Sequence, residues 1–480
     1  MTAAMPDPTN TPSDNGEPAS DPASRVLRAI QADELATARR IVEEQPEEAR
    51  FSIHVAAAVG NAAHVAERLA ADPSLATQRA PSDGPEPIIF AAHCGLQSLM
   101  QVPVADRVRT ATLLLDAGAN PNAFVQLQHD PRARIPALYF ACVSGNAPVA
   151  QLLLERGAEP NDGESVYHAA EHDHEDCLDV LVSHGADISQ AHADWGNSPL
   201  YFVCGHNESS VLRASAERGI RWLLEHGADP NVVSDSAPRA DGTPGAGETP
   251  LHRVAASDRS TTIASLLLSH GADIETPRAD GKTAYILAYR AANMAMTLLL
   301  AQHGARTDAL SDTDRFLAAC LTADAAEAGA LLATRPDLMR TLSADEKQVL
   351  MGAVHRDDPD ALALMLSVGW SLTGEGQWGG TPLHWASWFG RENVVRALLQ
   401  HGAPVNARDS TYGSSPIAWA AHGSTNSRPG NDAGYLAIVQ LLLDAGATRA
   451  ASFNSWDEAP ESMASTAVAA RLKDSGFTSQ

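Results

Sequence analysis

Apolar residues along the 480-residue chain fall into short leucine clusters, most of them closed by a glycine. The clearest are "LLLDAGANPN" (113–122), "LLLERGAEPN" (152–161), "LLEHGADPN" (223–231) and "LLQHGAPVN" (398–406). Looser copies read "VLVSHGADI", "LLLSHGADI", "LLLAQHGAR" and "LLLDAGATR". Each follows a cluster rich in small residues, such as "TPLHRVAAS", "SPLYFVCG", "TPLHWASWFG" or "SPIAWAAHG". Where no insertion intervenes, the pair returns about every 33 residues. Apolar positions three and four apart within each cluster share one face of a helix. The pattern predicts about a dozen helix pairs between Val26 and Arg449, followed by a closing helix near 459–473. A single pair cannot bury its apolar face, so stability has to come from stacking.

In "TPLH", Thr381 can cap the first helix, and Pro382 suits the first turn, where its missing N–H costs nothing. Leu383, Ala386 and Ser387 form the narrow face on which the neighbouring unit rests, with Leu398 and Leu399 on the other side. Gly402 ends the second helix in a left-handed conformation that alanine resists. "TPLHxA" followed by "LLxxGAxxN" resembles the ankyrin repeat family. The resemblance is strong over 130–308 and 379–449 and weaker over 26–82 and 313–372, where "LLATRPDLM" and "MLSVGWSLT" have lost the usual Gly-Ala. It implies an all-α, ankyrin-type helical solenoid spanning 25–449, with a capping helix and tail at 450–480. It also implies that His54, His252 and His384, and Tyr139, Tyr167 and Tyr201 at the equivalent place, bond between neighbouring loops instead of binding ligands.

Composition narrows the class. Acidic residues number 59 against 34 basic, a formal charge of −25. Phosphate-gripping proteins carry the opposite balance, so neither nucleic acid nor an anionic membrane is expected, and a protein partner with a basic patch is. No run approaches the roughly 18 apolar residues of a membrane span. The Pro-, Asp-, Ser- and Thr-rich stretch 1–24 reads as a disordered tail and not a secretory signal. A cytoplasmic monomer is the expectation. Five cysteines form no disulfide framework; Cys142, Cys204 and Cys320 sit at a tight position otherwise held by alanine. No GxSxG or GxxxxGK[ST] occurs, and no cofactor is expected.

The repeat frame aims certain side chains of each first helix toward the open concave side: Phe90, His93, Phe140, Phe202, Arg253, Arg290, Trp385, Trp388, Phe389, Trp419 and His422. These are the candidate partner- or ligand-binding residues, since exposed aromatic clusters mark interaction surfaces. The bland alternative is that they pack against each other or under the inserted loops. Extra residues separate the two helices of a unit at 96–108, 206–219 and 423–435, and lengthen loops between units at 123–134 and 232–247. They suit walls around a groove, or mobile insertions. "HAAEH" puts His168 and His172 at i and i+4 with Glu171 between them. Two imidazoles so placed can share a zinc ion, with Glu171 as base and His206 of the next unit as a third ligand; a polar, solvated segment is the simpler reading. The expected function is a non-catalytic protein-binding scaffold using the concave face and loop tips. The alternative is a small-molecule-binding protein or metal-dependent enzyme with its site in the concave groove.

Overall fold

A computed structural model describes residues 22–31, 35–44, 52–80, 84–126, 134–193, 196–205, 216–234, 247–256, 260–374, 379–428 and 430–475. The chain divides into two units, Met1–Gly281 and Lys282–Gln480. Both are built from consecutive helix pairs, the all-α ankyrin-type arrangement expected. In the first unit, inner helices Pro87–Ala92, Ala137–Val143, Ser165–Glu171, Pro199–Gly205 and Pro250–Ala255 are each followed by an outer helix, the last being Thr261–Ser269. In the second, Ala284–Arg290, Asp312–Leu321, Leu350–Arg356, Pro382–Trp388 and Pro416–Asn426 play the inner part. Two short helices, Pro460–Met463 and Thr466–Asp474, close the second unit. The described strands are Phe124–Gln126 and Arg134–Pro136, an antiparallel hairpin with Val125 opposite Ile135.

Each pair is terminated by local chemistry. Pro382 opens its helix, and the Thr381 N–H donates to His384 Nδ1 at 3.1 Å. That fixes the proton on His384 Nε2, which donates to the Ser414 carbonyl at 3.0 Å in the next turn. His54 reaches Gln78 O (2.7 Å), and the Tyr167 hydroxyl reaches Gln190 O (2.8 Å) and Asn197 O (2.7 Å). At the other end, the Ala403 N–H bonds to Leu398 O at 2.9 Å and Gly402 N–H to Leu399 O at 3.0 Å. This paired closure needs the φ of +82° that Gly402 adopts. Nothing lies within 4 Å of where a Gly402 Cβ would sit, so conformation and not space selects glycine.

The asparagine ending "LLxxGAxxN" closes the seam between units. Asn406 Nδ2 donates to Gly446 O at 2.9 Å, and its Oδ1 accepts Thr448 N–H at 2.9 Å. Asn122, Asn161 and Asn231 make the same two bonds to Gly157 and Glu159, Gly185 and Asp187, and Gly271 and Asp273. Behind these latches runs a spine of fully buried leucines: Leu153, Leu178, Leu223 and Leu267 in one unit, Leu362, Leu398 and Leu442 in the other. Each such side chain contributes about 1.5–3 kcal/mol. All five cysteines are free and buried.

The insertions do not build walls where they are described. Residues 96–108 become most of a short helix, Gly95–Leu99, and the start of a long outer helix, Val104–Asp116. Residues 423–435 lengthen both helices around them, Pro416–Asn426 and Asp432–Asp444. The 123–134 insertion supplies the hairpin. Most of 206–219 and 232–247 lies outside the described residues, as do 1–21 of the expected tail.

Candidate functional site

In the second unit the predicted aromatic residues come together, but as a packed block. Trp385 and Trp419 meet edge to face at 5.1 Å, Trp388 and Trp419 at 6.3 Å, and Trp388 and His422 at 5.3 Å. Phe389 stacks on Trp385 at 5.4 Å and lies 4.4 Å from His355. Trp385, Trp388 and Trp419 are only 7%, 9% and 1% exposed. The expectation that the tryptophans line an open surface is therefore corrected: they seal one another across successive inner helices. The cause is a pair of small residues and one carboxylate. A Cβ on Gly380 would stand 2.9 Å from the Trp419 ring, and one on Gly423 would stand 2.4 Å from Trp388 O. Trp419 Nε1 donates to buried Asp409 at 3.0 Å. Phe389 and His422 are half-buried and His355 is exposed, so the reachable part is a rim. Burial depresses His422 to about 4, which keeps its ring neutral.

Arg290 and Arg253 are not free cations. Arg290 pairs with Asp314 at 2.9 Å and with Glu346. Arg253 lies over the Tyr201 ring at 4.6 Å, donates to its hydroxyl at 3.2 Å, and fills the space a Gly205 side chain would occupy. Both serve as struts.

Phe90 and Phe202 are buried as well, a second departure from the open-face expectation. Phe90 meets His54 at 6.0 Å; half-buried His93 meets half-buried Phe140 at 6.4 Å. Phe202 and Tyr139 close on His168 from two sides, at 5.5 and 4.9 Å.

His168 is the centre of an ion cluster. Its Nδ1 lies 2.7 Å from Glu171 Oε2, and its Nε2 lies 3.4 Å from Glu164 Oε2. His192 reaches the other Glu164 oxygen at 3.6 Å, and His172 lies 3.9 Å from Glu171. Burial alone would lower the His168 pKa, but the two carboxylates outweigh it and raise it to about 9. Burial likewise opposes ionisation of Glu164, yet His168 and His192 hold it down at about 2. Both nitrogens of an imidazolium carry protons, so His168 in this state has no lone pair to offer a metal. His172 turns aside and stacks on His174 at 6.0 Å. His206, the third proposed ligand, lies outside the described residues. Among the described residues no group of three or more His, Cys, Asp or Glu side chains is arranged to hold a metal ion.

The comparisons accord with this architecture. The family model described as "Ankyrin repeats (3 copies)" matches residues 105–192, 211–310, 317–409 and 350–454, more than half of the chain. The chain is an ankyrin repeat protein. It is 29% identical over 225 residues to the human (Homo sapiens) transient receptor potential cation channel subfamily A member 1, covering 45% of this chain and 19% of the channel. It is 29% identical over 242 residues to Rabankyrin-5 of Mus musculus, covering 47% of this chain and 19% of that protein. With ankyrin repeat and SOCS box protein 5 of Mus musculus it shares 34% identity over 145 residues, 30% of this chain and 37% of that one. The solved human ASB11 ankyrin repeat domain matches with 23% identity and a TM-score of 0.39, over 53% of this chain and 98% of that structure. The chain thus spans about a fifth of the length of the first two relatives and 37% of the third. Among the described residues, no helix is long and apolar enough to cross a membrane.

Two features of this ankyrin array escaped the sequence pattern. Asp173 and Asp357 adopt left-handed φ values of 57° and 55° after their inner helices. Their carboxylates reach the outer helix of the next repeat: Asp173 accepts Gly219 N–H at 2.7 Å, and Asp357 accepts Val394 N–H at 3.0 Å. Exposed carboxylates also recur at one place on the loop tips of the first unit, Glu159, Asp187, Asp229 and Asp273. Each follows the Gly-Ala pair and accepts the backbone N–H two residues on, at 2.8 to 3.1 Å.

Proposed function

We propose that this protein is a non-catalytic scaffold that holds a partner protein through a basic segment laid along the loop tips of its first unit. Ankyrin repeats generally mediate protein–protein interaction. The observation that carries the reading is the row Glu159, Asp187, Asp229 and Asp273, four exposed acids at one register of their turns. Three of the seams beneath them are latched by Asn122, Asn161 and Asn231, so most of the row is held on a rigid edge. A periodic line of carboxylates on a chain of charge −25 favours lysine and arginine and repels acidic competitors.

The test is affinity capture from a total protein extract on the immobilised full chain, at roughly 50 and 500 mM salt. The comparison protein carries Glu159→Lys, Asp187→Lys, Asp229→Lys and Asp273→Lys. Partners with basic segments are expected on the native chain at low salt, and they should be absent at high salt and on the reversed chain. Hydrogen-exchange footprinting should place their contact on 157–162, 185–190, 227–232 and 271–276. Identical capture by both chains at both salt levels refutes the reading.

A further inference from the structure

The end of one stretch that departs from the repeat pattern, Met339 of "LLATRPDLM", and Val368 to Ser371 of another, "MLSVGWSLT", line one cavity in the second unit. Its volume is about 410 Å³, within the range of small-molecule sites. The second stretch keeps its glycine: Gly369 has φ +112°, and the Trp370 N–H bonds to Met365 O at 3.1 Å. This matches the Ala403-to-Leu398 bond of the regular repeat, so Trp370 stands where other turns hold a buried alanine such as Ala158, Ala228 or Ala403. An indole in place of a methyl needs room. Two short helices, Leu338–Thr341 and Ala344–Lys347, stand before the inner helix here. Trp370 stacks on Phe316 at 5.8 Å and donates its N–H to Lys347 O at 3.0 Å. Its polar atom is thereby used, and the ring contributes apolar surface to the cavity.

Leu350, Met351, Val368 and Trp370 supply the apolar lining, and Arg340 and Lys347 the charged part. Among the described residues, neither cation has an ion-pair or hydrogen-bond partner for its side chain. The nearby Glu346 is engaged by Arg290 and by the Ser343 N–H at 3.0 Å, so its charge is turned to other groups. Both cations are solvent-exposed at the edge of the cavity, free to meet an anion that enters it. The geometry points to a binding site for a small organic anion with a flat apolar body, such as an aryl carboxylate or sulfonate, its ring against Trp370 and its anionic group between Arg340 and Lys347. This site is separate from the acidic loop tips and does not depend on the scaffold reading.

The experiment titrates the full chain with 8-anilinonaphthalene-1-sulfonate, following its fluorescence and energy transfer from tryptophan. One saturable site is expected, competed by 1-naphthoate. The double variant Arg340→Glu/Lys347→Glu should bind at least tenfold more weakly with an unchanged circular dichroism melt. Ser371→Trp, which blocks the cavity but keeps both cations, should also lose binding. Equal binding by native and charge-reversed chains overturns the proposal. So does equally tight binding of the uncharged N-phenyl-1-naphthylamine, which would mean the cations do nothing. Competition by a hexaglutamate peptide but not by 1-naphthoate overturns it too, in favour of an acidic protein segment.

Discussion

Replacing His168 with glutamine tests whether the Glu164–His168–Glu171 cluster holds the first unit together through charge. The folded His168 pKa of about 9 lies above the 6.5 of an ordinary histidine. A group raised in this way gives its full stabilisation below pH 6.5, and the contribution is lost as pH rises through 9. At about 1.36 kcal/mol per unit, the loss is about 3 kcal/mol across that window. The side chain is 18% exposed, so solvent screening removes little of it. The assay is urea unfolding of the full chain at pH 6, 7.5 and 9, with hydrogen exchange on 165–183 to report the first unit separately. The native protein should lose local stability steadily between pH 6.5 and 9. His168→Gln should be weaker at pH 6, because Glu164 and Glu171 are left facing each other, and its profile over the same window should be flatter. Parallel pH profiles for the two proteins would refute a charged His168.

His422 should act in the opposite sense in the second unit: with its pKa depressed to about 4, stability is fully present above pH 6.5 and falls as pH drops toward 4, and His422→Phe should remove that slope in urea unfolding followed by tryptophan emission. Asp357→Ala should cost roughly 1–3 kcal/mol, from a lost helix cap and a left-handed alanine. Asp357→Gly, which loses only the cap, should cost less in the same measurement. Gly423→Ala should destabilise by about 1–3 kcal/mol because its Cβ meets Trp388 O at 2.4 Å. Helix propensity alone favours alanine by up to about 1 kcal/mol, so a stabilised variant would show that the helices part easily. Asn406→Ala should cost about 1–2 kcal/mol and raise hydrogen exchange at Thr448, whose N–H loses its acceptor.

The helix pairs were legible because their punctuation is local. Gly402 reports a backbone conformation, Pro382 a missing donor, and the leucine spacing a single face; none of these needs a distant partner to be read. The site residues failed where distant partners decide. Spacing alone put Trp385 and Trp388 on one helix face, but it could not show that Trp419 from the next repeat, seated over Gly380, would cover them. The "HAAEH" spacing was real, yet Glu164 precedes that helix and His192 comes from a later turn, and they change what His168 can do. Arg253 and Arg290 stood among the candidate binding residues because the groups that engage them, Tyr201, Asp314 and Glu346, stand elsewhere in the chain. At 369–370 the glycine of the usual Gly-Ala is kept and only the alanine is replaced, by Trp370.

The asparagine latch bears on how such a chain can change its length. Both of its bonds go to main-chain atoms, the carbonyl of a glycine and the N–H two residues later, so a turn of almost any sequence is an acceptable neighbour. A unit copied or excised from one asparagine to the next leaves behind the same junction it interrupted. Gene duplication and deletion can therefore lengthen or shorten the array without inventing a new joint.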